Sequence, residues 1–285
     1  MLIFNSVMPG EVLDIDHSAD KTNYPYVFVH GYFGWGQYNE ADEYLPYWGL
    51  STGNDIKSFN LSGFTAADAD VDPVGSAWDR ACELYAQLAG TKVDYGKEHS
   101  ERCGHDRFGK DFSKKRLIPD WSAENKINLL GHSFGGAAVR TLASLLEYGD
   151  KTECETSGDD VSPLFKGGKG DWVYSVTTLC APHNGSSLTE ALDSVTDSFS
   201  GLSSLVGINT KNLTSTQLLA SLCFGLAGIS EPVKGTYDFK LQHFGLGKSE
   251  GGITGVIETI NALTKLGTDH AGYDLSPDGA AQINA

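Results

Sequence analysis

The stretch "NKINLLGHSFGGAAVRTLASLLEYG", Asn125 to Gly149, limits the possible folds more than any other part of the chain. A short apolar segment around Asn128–Leu130 runs directly into G-x-S-x-G. A helical pattern follows, burying Ala138, Leu142, Leu145 and Leu146 and stopping at Gly149. A buried strand feeding a tight turn that opens a helix puts the turn's serine at the carboxyl edge of a sheet. Small residues are needed where backbone packs against backbone, and Gly131, Gly135 and Gly136 supply them. Ser133 is therefore a candidate nucleophile, and the N–H of Phe134 a candidate donor to an oxyanion. The competing reading is a serine that caps a helix after a glycine turn.

A second oxyanion donor should come from a loop after an earlier strand. "YPYVFVHG" (Tyr24–Gly31) is a β-branched and aromatic run that reads as a buried strand, and "YFGWG" follows it. Tyr32 is the natural candidate, with His30 expected to pack beneath the loop rather than react. A helix is predicted over Ser76–Ala89, where Ala77, Ala81, Leu84, Tyr85 and Leu88 share a face and Gly90 ends it. "DWVYSVTTLCAP" (Asp171–Pro182) reads as a further strand. From Ser187 to Gly228 the pattern turns helical, with Leu188, Ala191, Leu192, Val195, Phe199 and Leu202 on one side. Strands alternating with helices predict an α/β domain with a mainly parallel sheet covered on both faces.

At 285 residues the chain is long enough for one large domain with its own core. Its net charge of −16 repels phosphate backbones, which argues against a nucleic-acid partner but not against a neutral ester. The five cysteines form no C-x-x-C pair and are expected to be separate small core residues. The N-terminal residues show no basic region followed by an apolar run, so no signal peptide is visible.

"VDYGKEHSERCGHDRFGK" (Val93–Lys110) sets His99 and His105 six residues apart with Cys103 between them. Imidazole with carboxylate suits zinc, whereas two histidines in a polar loop are often only solvated. Asp79 lies three residues after Ser76, where the acid of a capping box would lie.

The segments "VFVHGYFGWG", "SAWDRACELYAQLAGTKVDYGKEHSERCGHDRFGK", "GHSFGG", "SPLFKGG", "SVTTLCAPHNGSSL", "YDFKLQHFGL" and "YDLSPDGA" occur in the order expected of one family. They resemble the zinc-containing thermoalkalophilic lipases of Gram-positive bacteria, from about Tyr24 onward. The resemblance implies an α/β-hydrolase fold with an inserted zinc-binding subdomain (about 76–110) and a helical lid (about 187–245). It implies a carboxylic ester hydrolase acting on acylglycerols or similar aliphatic esters at a lipid–water interface, extracellular and monomeric. Carried over by position, the nucleophile falls on Ser133, the oxyanion donors on Tyr32 and Phe134, and the ligands of a structural zinc on Asp79, His99, His105 and Asp274. Cys103 stands where the family usually has a histidine that is not a ligand, and a thiolate there would compete for the metal.

In the same family the catalytic acid and histidine, and a calcium site, come well after the "YDLS" aspartate, and the sequence ends at Ala285. His183, His243 and His270 match none of the expected positions. The sequence therefore leaves three readings: a form lacking the C-terminal part of the family fold, a short homologue recruiting His243 or His270, and a catalytically inactive lipid-binding relative. A metal-dependent hydrolase is a further rival, and it requires an open metal position.

Overall fold

A computed structural model describes residues 24–49, 53–187, 238, 240–244 and 267–285. In chain order its elements begin with β1 (Tyr26–Val29), α1 (Ala41–Tyr44), α2 (Asp55–Leu61), β2 (Ala66–Ala69) and α3 (Ala77–Ala89). There follow β3 (Lys92–Asp94), α4 (Lys97–Cys103), β4 (Phe108–Asp111), β5 (Ile127–His132) and α5 (Gly135–Tyr148). The described chain closes with α6 (Lys151–Ser157), β6 (Val173–Leu179), α7 (Ala271–Asp274) and α8 (Pro277–Asn284). Nearly all of the expected lid, and with it the Leu188–Leu202 face, lies outside the described residues, as does Cys223.

Four strands form one sheet in the order β2-β1-β5-β6, and every pairing in it is parallel. Val27, Val29, Ile127 and Leu129 are fully buried in it, which is what their unbroken apolar runs require when helices cover both faces. The helix predicted over Ser76–Ala89 is α3: the Ser76 side chain accepts from the Asp79 N–H, and Gly90 closes the helix in the left-handed conformation. Ala81, Leu84 and Leu88 of α3 and Ala138, Leu142 and Leu146 of α5 join the strands in one core. β3 and β4 form a separate antiparallel pair within and just beyond the range expected for the insertion.

β2 was not expected. Its sequence, AADA, lacks β-branched residues, and strand pairing with β1 overrides that weak propensity. Cys180 also departs from expectation: it is exposed, at the end of β6, while Cys82 and Cys103 are buried.

Registry fixes the site. Val29 pairs with Gly131, so β1 and β5 end level with one another. The loop His30–Tyr32 and the turn at Ser133 therefore emerge side by side at the carboxyl edge of the sheet, where ligands of open α/β sheets bind.

Candidate active site and metal cluster

Ser133 has φ of 53°, one of four described non-glycine residues in the left-handed region. That conformation costs an L-residue about 1–2 kcal/mol, and it persists because the surroundings fix it. The Ser133 N–H donates to Leu179 O at 2.8 Å. α5 starts two residues later with Phe134 as its N-cap, so its first N–H groups and dipole lie beside the hydroxyl. Side chains at the turn would collide with backbone: a Cβ on Gly131 would strike the Gly135 carbonyl, and one on Gly135 the Val29 carbonyl. The capping reading of Ser133 is not what the geometry shows, because the N-cap position belongs to Phe134.

The β1 loop closes over this turn. A Cβ added to Gly31 would lie 2.9 Å from Ser133 Cβ, which places the Gly31–Tyr32 backbone beside the serine. Tyr47, a residue the sequence reading passed over, ties the two strand ends together. Its hydroxyl accepts from Gly31 N–H at 3.0 Å and donates to His132 Nδ1 at 2.6 Å. Burial holds the His132 pKa below its usual value, which suits a neutral ring accepting at Nδ1. Phe134 is buried with Ala77 and Ala271, and the Arg80 guanidinium lies 5.0 Å from its ring centroid. His30 packs under the loop as expected: it is fully buried, with Nε2 3.1 Å from Val71 O. Burial and the neighbouring Arg80 keep its pKa well below the usual value.

The remaining histidines are held elsewhere. His183 sits between Arg140 (3.0 Å) and Thr178 Oγ1 (3.0 Å), and His270 Nδ1 accepts from Tyr273 N–H at 3.1 Å to cap α7. His243 turns Nε2 toward Asp79 Oδ2 (3.5 Å) and Asp72 Oδ2 (3.7 Å).

A second constellation lies around Asp79, in the first turn of α3. Its Oδ1 is 3.1 Å from His99 Nε2 and 3.9 Å from His105 Nε2. The fourth donor is Asp269, whose Oδ2 lies 3.3 Å from His99 Nε2 and 3.2 Å from His105 Nε2. Asp274, the expected ligand, is corrected by this geometry. It sits at the end of α7, and its Oδ2 accepts the Ala77 N–H at 2.6 Å. Burial raises its pKa to about 7. The two aspartates are five residues apart in "TDHAGYDLS", and sequence matching alone selected the wrong one.

The donors fit zinc. Bonds of about 2.0–2.1 Å to a tetrahedral ion set donors roughly 3.3–3.4 Å apart, and the four separations here run from 3.1 to 3.9 Å. Asp269 Oδ2 is buried and accepts no hydrogen bond, although two imidazole nitrogens face it. That is the arrangement of donors directed at a shared point. In the protein without metal, burial disfavours charge on His99, but the Asp269 and Asp79 carboxylates outweigh it and push the pKa up to about 12. Trp78 stacks on His99 at 5.2 Å and on Phe165 at 5.4 Å, fixing the imidazole plane. Cys103 Sγ addresses the other ring nitrogen, Nδ1, at 3.9 Å.

A family model described as lipase-like, C-terminal domain, matches residues 22–285, and the chain belongs to that family. Lipase 2 of Staphylococcus aureus is 33% identical over 266 residues, covering 92% of this chain and 35% of the relative. Among solved structures, lipase 1 of Pelosinus fermentans superposes with a TM-score of 0.72 at 38% identity, covering 93% of this chain and 64% of that one. Staphylococcus hyicus lipase gives 0.72 at 32% identity, covering 93% and 63%. The chain thus spans about a third of the length of the curated relatives it matches.

Proposed function

We propose that the protein is a carboxylic ester hydrolase of the lipase type, acting on acylglycerols or similar aliphatic esters. One observation carries this reading: Ser133 is held at positive φ between β5 and α5, with the Gly31–Tyr32 loop closed over it. In the reaction Ser133 Oγ attacks the ester carbonyl, and the Tyr32 and Phe134 N–H groups take the charge of the tetrahedral intermediate. The alcohol leaves, and water then hydrolyses the acyl-enzyme. The histidines at 183, 243 and 270 are engaged elsewhere, so the base and its orienting acid are assigned to residues outside those described. Tyr174 and Val176, on one face of the edge strand β6, are 54% and 38% exposed.

Asp79, His99, His105 and Asp269 are proposed to hold a structural zinc. Four protein donors leave a tetrahedral ion no open position, which argues against the metal-dependent hydrolase. The relatives named above are lipases, and no observation favours the non-catalytic lipid-binding alternative. The insertion, the lid, a monomeric state and secretion belong to the same proposal. No helix of the described residues is long and apolar enough to cross a membrane.

The test is labelling by a serine-reactive phosphonate and hydrolysis of p-nitrophenyl esters, using the protein and its Ser133→Ala variant. Labelling at Ser133, with turnover lost in a folded variant, is the expected result. Wild-type turnover by Ser133→Ala would end the serine mechanism.

A further inference from the structure

Beside the proposed zinc site lies a second group of buried donors that the zinc does not use. Asp72, Glu83 and His243 each place a potential ligand atom within 4.8 Å of the other two. Asp72 and Asp79 are fully buried, Glu83 is 5% exposed and His243 is 4% exposed.

Each donor is positioned by a separate element. Asp72 Oδ1 accepts the N–H groups of Val74 and Gly75 at 2.7 and 2.8 Å, which leaves Oδ2 directed inward, 3.7 Å from His243 Nε2. Glu83, on α3, is held by Tyr95 OH at 2.8 Å and Asp72 N–H at 2.6 Å, with a lone pair left on each oxygen. His243 stacks on Tyr95 at 4.6 Å. The fourth direction belongs to Asp79 Oδ2, 3.5 Å from His243 Nε2. Asp79 Oδ1 faces the first site, so the carboxylate has one oxygen on each side.

The carboxylate oxygens argue that a cation belongs there. Asp72 Oδ2 and Asp79 Oδ2 are buried oxygens that accept no hydrogen bond, a costly state for a carboxylate unless it binds a cation. Lys240, the nearby lysine, is committed to Asp70 Oδ1 at 2.8 Å. A cavity of about 370 Å³ lined by Glu83, Tyr95, Asp238, Lys240 and His243 gives an ion a route to the group.

We propose that Asp72, Glu83 and His243 form a second divalent-cation site, completed by Asp79 Oδ2, so that Asp79 bridges two metals. The donor separations of 3.5 and 3.7 Å match those of a zinc-sized ion, and one imidazole with three carboxylates suits zinc, cobalt or manganese. The bound ion clamps the 240–244 segment to α3 and to the segment after β2. The proposal depends on the zinc assignment only through the shared Asp79.

The experiment counts zinc in the natively purified protein after equilibration with Zn²⁺ and a wash with a weak chelator, by native mass spectrometry. Two ions per chain are expected in the wild type. One is expected in His243→Gln and in Asp72→Asn, each checked for folding by circular dichroism. One ion in the wild type, or two retained in folded His243→Gln, overturns the second site. If a variant fails to fold, the wild-type count alone decides. His99→Gln distinguishes the two assignments: loss of an ion there with none lost in His243→Gln leaves the first site standing and removes the second, and the converse pattern removes the first.

Discussion

The Glu153 carboxylate takes the backbone N–H of His99 at 2.7 Å through Oε1 and, through Oε2, that of Glu98 at 3.1 Å. α4 starts after Gly96, which has no side chain to serve as a cap, so a residue of α6 supplies the acceptor. Glu153 is 1% exposed, and its removal would strand the buried His99 N–H and the half-buried Glu98 N–H. Glu153→Ala is expected to cost about 1–3 kcal/mol and to loosen His99 at the metal. Chemical denaturation and zinc retention should fall together; a variant with full stability would show that α4 needs no cap.

Asp269 and Asp274 separate by what their loss does. Asp269→Asn should release the zinc of the first site and lower the melting temperature. Asp274→Ala should keep that zinc while leaving the Ala77 N–H without its acceptor, at a cost of about 1–3 kcal/mol. Elemental analysis of the two purified variants checks the assignment, and retention of the metal by Asp269→Asn alone would reverse it.

Tyr47→Phe removes a hydroxyl bonded to both Gly31 and His132. Because the Gly31 loop carries the proposed oxyanion donor, kcat should fall by up to roughly 100-fold with KM little changed, the cost of a catalytic group displaced by about 1 Å. Steady-state kinetics on a soluble ester measures the split.

Ser133→Gly and Ser133→Ala should both be inactive but unequal in stability. Glycine relieves about 1–2 kcal/mol of left-handed strain and costs roughly 0.5–1 kcal/mol in chain entropy. Alanine keeps the strain. Ser133→Gly should therefore melt higher than Ser133→Ala, and equal melting temperatures would mean that φ of 53° stores no strain.

Asp68, in β2, is 3% exposed, and burial raises its pKa to about 7, with the Asp42 charge adding to the rise. A folded pKa above the unfolded value of 3.8 means that its contribution is complete below pH 3.8 and is lost as pH rises through 7. Stability should therefore fall between pH 5 and 8 by an amount on the order of a few kcal/mol. Asp68→Asn should flatten that slope in urea titrations at the two pH values.

The sequence by itself determined the elements whose signals are local. The apolar runs of β1 and β5, the cap and stop of α3, and the glycines around Ser133 each act over a few residues, and each stands where the pattern put it. So does the pairing of His99 with His105, because α4 and its flanking turn span the six residues between them. The tertiary structure alone decided what depends on distant segments meeting. β2 forms because β1 offers its backbone, not because AADA favours a strand. Tyr47 reaches Gly31 and His132 through a loop without periodicity. The choice between Asp269 and Asp274 is of the same kind. Both carboxylates sit in one short segment, and only the docking of that segment against α3 turns the first toward the imidazoles and the second toward the Ala77 N–H.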